Sequence, residues 1–151
     1  MSVAFRRESD EEHLEPRFEL PIPAGPNLVT ARGRALIDQR IAALEGALAH
    51  APDDEAVEAI RRDLRYWATR RATAIETDAR RDGIVGFGSR VVFRLAGKER
   101  AIALVGDDEA DPAAGLLAFS APLSRAMMGA EAGDLVAFNG RDDAIEIMSV
   151  A

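Results

Sequence analysis

The sequence predicts an α+β fold: an N-terminal antiparallel helical hairpin of coiled-coil type, followed by a C-terminal antiparallel β domain with one short helix. Three observations carry this expectation. Apolar residues recur at spacings of three and four between Thr30 and Asp78, and beyond Phe87 the apolar period falls to two. The dipeptide Asn139-Gly140, suited to a tight turn with positive φ, separates the last two apolar runs. The expected division is an extended or disordered segment over residues 1–28, a hairpin finger over 29–79, a linker over 80–86 and the β domain over 87–151.

The first 28 residues are highly charged between Arg6 and Glu15, and Pro16, Pro21, Pro23 and Pro26 oppose any helix. Leu20-Pro21-Ile22-Pro23 suits a polyproline-like strand lying on a neighbouring surface. Thr30 is placed to cap the first hairpin helix through its hydroxyl. Leu36 or Ile37, Ile41, Leu44 and Leu48 then form one apolar stripe. Pro52 ends that segment and is expected to open the second helix at its first position. Val57, Ile60, Leu64, Trp67 and Arg71 form the second stripe. Helices of about 20 residues each make an arm of roughly 30 Å.

In the β domain, Val91, Phe93 and Leu95 should face one way and Val92 and Arg94 the other. Further strands are expected at Ala101–Val105, Leu116–Phe119, Leu135–Phe138 and Ile145–Val150. Pro122 to Met128 reads as a short helix with proline at its start and Gly129 after its end.

Composition narrows the function classes. The chain has 151 residues, no cysteine and two distant histidines, so disulfides, thiolate metal sites and a His-pair zinc site are excluded. A net charge of −7 argues against general or specific DNA binding, which needs clustered cations. No signal-peptide pattern and no membrane-length apolar run is present, which leads to an expected cytoplasmic, membrane-free protein. The hairpin region 29–82 is neutral overall, but its charges are sorted: Asp53-Asp54-Glu55 come first, and Arg61, Arg62, Arg65, Arg70 and Arg71 follow.

Several stretches together resemble the Gre transcript-cleavage factors, the GreA/GreB family. They are Val85-Gly86-Phe87-Gly88-Ser89-Arg90-Val91-Val92-Phe93, Leu104-Val105-Gly106-Asp107-Asp108-Glu109-Ala110-Asp111, Pro122-Leu123-Ser124-Arg125-Ala126-Met127-Met128-Gly129 and Gly133-Asp134-Leu135-Val136. Val29-Thr30-Ala31-Arg32-Gly33 is similar to the start of that family's first hairpin helix. The resemblance implies an FKBP-like C-terminal domain that docks at the secondary channel of RNA polymerase, and a coiled-coil finger that enters the channel. It implies a docking set of Ser120, Pro122, Leu123, Ser124 and Arg125. It also implies a fingertip, Asp53, Asp54 and Glu55, that could assist a magnesium ion shared with the polymerase active centre. A factor of this kind has no intrinsic metal or cofactor, is not an enzyme by itself and contacts RNA only indirectly.

Three departures from the family bear on function. The finger is shorter by roughly ten residues per helix, or about 15 Å of reach. Its acidic tip is reduced to three residues, and Ala121-Pro122 replaces the family's Ser-Pro. In proportion the chain resembles the short-finger, Rnk-type branch.

The residues themselves leave alternatives open. The tip acids suit Mg²⁺ capture, or simply the positive end of a helix dipole. The arginines suit RNA phosphate, or a solvated helix flank with an Arg62–Glu58 pair. Trp67 falls on the apolar stripe and suits hairpin core, whereas Tyr66 lies off it. The run Asp107-Asp108-Glu109 with Asp111 by itself suits a solvated or capping loop and lacks calcium-loop spacing, whereas the family resemblance implies a structural loop near the docking surface. Leu123, Met127 and Met128 suit either core or partner contact. Three functions follow: a polymerase-binding regulator, a full cleavage factor, or an FKBP-like isomerase or chaperone-like binding module.

Overall fold

The computed structural model describes residues 19–151. Most of the segment expected to be extended or disordered, residues 1–18, lies outside the described residues. From Glu19 to Asn27 the chain forms neither helix nor strand.

The hairpin consists of α1 (Ala31–Ala49) and α2 (Asp54–Thr73). Thr30 caps α1 as expected, its hydroxyl accepting the Gly33 amide at 2.9 Å. Of the α1 stripe, Ile37 and Ile41 are buried, and they pack with Val29, Leu64, Trp67 and Ala74. Leu44, Leu48, Val57 and Ile60, nearer the tip, are only half-buried, because two helices alone cannot enclose them.

Two details of the arm differ from expectation. Pro52 is not the first residue of α2. It precedes Asp53, which caps the helix by accepting the Ala56 amide at 2.8 Å. The base of α2 buries Arg70, not Arg71. Both lie one turn beyond Trp67, at i+3 and i+4, so helical period alone does not choose between them. The carboxylates facing Arg70 decide it.

A feature the sequence pattern did not disclose closes the base of the arm. Strand β1 (Leu28–Val29) pairs in parallel with β2 (Ile75–Glu76). The Ile75 amide donates to the Asn27 carbonyl and the Thr77 amide to that of Val29, both at 2.9 Å. Two residues per strand are too few to leave a periodic signal.

The C-terminal sheet has the order β5-β4-β3-β7-β6. Its strands are β3 (Arg90–Leu95), β4 (Lys98–Val105), β5 (Leu116–Ala118), β6 (Leu135–Phe138) and β7 (Arg141–Val150). All pairings are antiparallel except β4–β5. The period-two reading of β3 holds: Val91 and Phe93 are buried and Leu95 packs against the core. These side chains, with Leu104, Ile145 and Ile147, meet Met127 of the six-residue α3 (Pro122–Met127) on one face of the sheet. Burying a side chain such as Phe93 contributes about 1.5–3 kcal/mol.

Asn139 and Gly140 turn β6 into β7 with φ of 57° and 79°. A second tight turn, Ala96-Gly97, joins β3 to a β4 that starts three residues earlier than expected. The expected linker also proves shorter. Val85 exchanges backbone hydrogen bonds with Gly129 and Ala130 and belongs to the β-domain core.

The parallel β4–β5 pair requires a crossover. That crossover, residues 106–115, carries the acidic run across to the base of the hairpin.

Candidate functional site

Asp107, Asp108 and Glu109 of the acidic run fasten the hairpin to the β domain, as a structural loop, while Asp111 is exposed. The Arg70 side chain is only 2% exposed and its Nε donates to Asp108 Oδ2 at 2.6 Å. Its Nη2 donates to Asn27 Oδ1 at 2.7 Å and lies 3.8 Å from Asp107 Oδ2. Asn27 in turn donates to the Arg70 carbonyl at 2.8 Å. A guanidinium buried to this degree is tolerable because its donors meet acceptors and its charge meets a carboxylate.

The hydroxyl of Tyr66, one helical turn away, donates to the other oxygen of Asp108. Burial, then the hydrogen bond to Asp108 and its negative charge, push the Tyr66 phenol up to about 12, and the nearby Arg70 opposes the shift. On the α1 side, buried Glu109 accepts from the Thr30 hydroxyl at 2.5 Å and from Arg32 Nη1 at 2.9 Å. Both helices of the finger therefore end on neighbouring residues of one loop.

Gly106 permits this approach. A Cβ there would lie 2.5 Å from the Leu28 carbonyl oxygen, well inside van der Waals contact. The spacing of Gly106, Asp108 and Glu109 against Thr30 and Arg70 is a tertiary match that no local pattern announces. The clue available in the sequence was the concentration of carboxylates beside a glycine.

The fingertip acids occupy distinct places. Asp53 spends a carboxylate oxygen on capping α2, while Asp54 and Glu55 are exposed in its first turn. Among the described residues no cluster of three or more His, Asp or Glu side chains is arranged to hold a metal ion. The expected Arg62–Glu58 pair is replaced by Arg65–Glu58 at 3.6 Å and a long Arg62–Asp63 contact at 3.8 Å. Arg61 and Arg71 are exposed. Trp67 lies in the hairpin core, with the Arg40 guanidinium 5.5 Å from its ring centre.

The proposed docking residues divide. Ser120, Pro122 and Arg125 are exposed. Ser124 is fully buried, and its hydroxyl donates to the Ala118 carbonyl at 2.7 Å, so it has no side chain to offer a partner. Leu123 packs half-buried against the core, and Met127 is wholly within it. A helix of six residues lying on a sheet must turn one side inward, and 123, 124 and 127 form that side. Ser120 donates to Asp107, linking the loop before α3 to the loop at the base of the finger. Among the aromatics an isomerase pocket would need, Phe93 is core, and Phe87 and Phe119 pack edge to face.

Comparison with known proteins bears on the C-terminal part of the chain. Residues 80–151 match the model described as "Transcription elongation factor, GreA/GreB, C-term". The GreA transcription elongation factor of Rhizobium etli (strain CIAT 652) is 36% identical over 87 residues, covering 55% of each chain. That of Allorhizobium ampelinum is 37% identical over 86 residues, covering 54% of each. The chain thus spans about half the length of the curated relatives it matches. Among solved structures, GreA/GreB from Nitrosomonas europaea gives a TM-score of 0.40 at 19% identity, covering 82% of this chain and 98% of that one. Gfh1 of Thermus thermophilus gives 0.39 at 15%, covering 84% and 99%. Those overall superpositions are too loose to bear on how hairpin and sheet are arranged. Residues 80–151 are therefore similar to the C-terminal domain of the GreA/GreB transcription elongation factors.

Proposed function

We propose that the protein is a transcription elongation regulator that docks on RNA polymerase through its β domain and presents the hairpin to the secondary channel. The observation that carries this reading is the GreA/GreB C-terminal domain joined to a hairpin through buried Arg70. A protruding arm acts at a distance only if its base is held, and two helices ending on one loop hold it. Ser120, Pro122 and Arg125 are the accessible contact residues. The protein acts through the polymerase, is not an enzyme by itself and needs no cofactor of its own. Its effect is to occupy the channel and compete with other factors that enter there.

A second reading, stimulated RNA cleavage, draws on the exposure of Asp54 and Glu55 at the tip. Those carboxylates would share a magnesium ion with the polymerase, the hard oxygen ligands that Mg²⁺ prefers. Capping by Asp53 and an arm of about 30 Å weigh against it.

A transcript-cleavage assay on a backtracked elongation complex separates the readings. The regulator reading expects binding to the complex without cleavage above polymerase alone. Stimulated cleavage that disappears in Asp54→Ala/Glu55→Ala would establish the second. Failure to bind core polymerase would sink both.

A further inference from the structure

The C-terminal sheet has two edges, and only one of them is closed. At the β5 edge, Asp111 and Leu116 exchange both backbone hydrogen bonds, at 2.8 and 3.0 Å, so the crossover folds back along its own strand. At the other edge, β6 ends the sheet, with no strand beyond it among the described residues. An open edge is a template for a further strand unless charge, proline or a covering segment blunts it. Leu135-Val136-Ala137-Phe138 carries neither charge nor proline. Leu135 is 54% exposed, and Ala137 is exposed as well.

The pairing with β7 fixes which backbone groups of β6 are left over. The Gly133 amide donates to the Ile147 carbonyl at 2.7 Å, and the Ile147 amide donates to the Asp134 carbonyl at 2.9 Å. That bulge sets the phase of the strand. Val136 and Phe138, two and four residues beyond Asp134, turn their peptide groups to β7, where they meet Ile145 and Arg141. Backbone groups alternate in direction along an antiparallel strand. The N–H and C=O of Leu135 and Ala137 therefore point away from the sheet, and neither residue bonds through its backbone to any other described segment.

A strand with two such residues flanking one other is complementary to itself. About a twofold axis at Val136, Leu135 of one copy lies opposite Ala137 of the second copy, and the reverse. Each of these pairs exchanges both of its backbone bonds, which joins the two sheets into one. The same register sets Asp134 opposite Phe138 of the second copy, and Arg141 of that copy stands beyond, paired with its Phe138. Paired residues share a face, and two strand spacings are about 9.5 Å, a gap that an arginine and an aspartate side chain span together. That ion pair forms twice. Like charges stay apart: the bulge acids Asp142 and Asp143 lie opposite Ala137, and so three spacings, about 14 Å, from Glu146 of the second copy. Screening removes most of that repulsion.

We propose that β6 is a self-association edge, at which two copies of this chain pair antiparallel about Val136. A strand of four residues makes a small contact, so the pair is weak and reversible and forms at high local concentration. The inference does not depend on what the exposed side of α3 binds.

The test uses the full chain. In sedimentation equilibrium the mean mass should rise towards twice that of one chain as the concentration approaches millimolar. Leu135→Lys puts a charge on the edge and should hold the mass at one chain. Ala137→Pro removes a donor that points away from β7, so it should do the same while the β6–β7 ladder is kept. The chain contains no cysteine, so single cysteines report the register. Mixing Ala137→Cys chains with Leu135→Cys chains brings two Cα atoms to about 5.5 Å, inside disulfide range, whereas either variant alone sets its own pair about 9 Å apart, outside it. Under oxidation the mixture should therefore cross-link about tenfold more than either variant alone. A mean mass that stays at one chain up to millimolar concentration would overturn the proposal. So would a rise that Leu135→Lys leaves unchanged, or cross-linking no greater in the mixture than in the separate variants.

Discussion

Replacing Asp108 by alanine tests the join between finger and domain. The change removes the 2.6 Å acceptor of Arg70 Nε and the acceptor of the Tyr66 hydroxyl. Arg70 keeps Asn27 Oδ1 at 2.7 Å and a distant Asp107 at 3.8 Å, while remaining buried. Removing one partner of a buried pair costs about 3–5 kcal/mol. The retained contacts place this case near the lower end, at about 3 kcal/mol. Tyr66 adds little, because its phenol can turn to water. Against a total stability of about 5–15 kcal/mol, the loss is large. For a chain of this size it lowers Tm by about 6–12 °C.

Asp107→Ala, which removes only the 3.8 Å contact and the Ser120 bond, should cost less than about 1 kcal/mol. Arg70→Met with Asp108→Leu should recover part of the loss, since no charge is then left buried and unpaired. Urea unfolding followed through Trp67, the sole tryptophan and a neighbour of Tyr66, reads all three. If Asp108→Ala costs no more than Asp107→Ala, the reasoning fails.

Other outcomes follow from the same geometry. Tyr66 is the sole tyrosine, so its ultraviolet titration should show a midpoint near 12 in the folded protein, not 10.0. Because the folded value is raised, this group's contribution to stability is complete below pH 10 and is lost as pH rises from 10 towards 12; Tyr66→Phe should remove that alkaline component. Asp53→Ala removes the cap of α2 and should cost about 1 kcal/mol in the same unfolding assay. Ala96 holds φ of 52° in a two-residue turn, so Ala96→Gly should raise stability by about 0.5–1 kcal/mol; a loss would show that its methyl group is needed.

The fold was legible where local chemistry decides it. Thr30 as a cap, the change from helical to strand period, and Asn139-Gly140 as a turn are each settled by neighbours within a few residues. Arg70 was not legible, because its burial depends on Asp108, 38 residues away. The short β1–β2 pair and Val85's place in the core were hidden for the same reason: their partners lie far along the chain. At the candidate site, family resemblance marked Ser120 to Arg125 as a group, but only the packing of α3 separated exposed Arg125 from buried Ser124. The acidic run drew attention through composition, and its role emerged only when the crossover placed it against the hairpin.

Equilibrium binding of the intact chain to core RNA polymerase tests the central claim most directly. Saturable one-to-one binding is expected, weakened by Arg125→Glu on the exposed side of α3 and unaffected by Arg141→Glu at the far turn of the sheet. The absence of saturable binding, or equal effects of the two reversals, would contradict it.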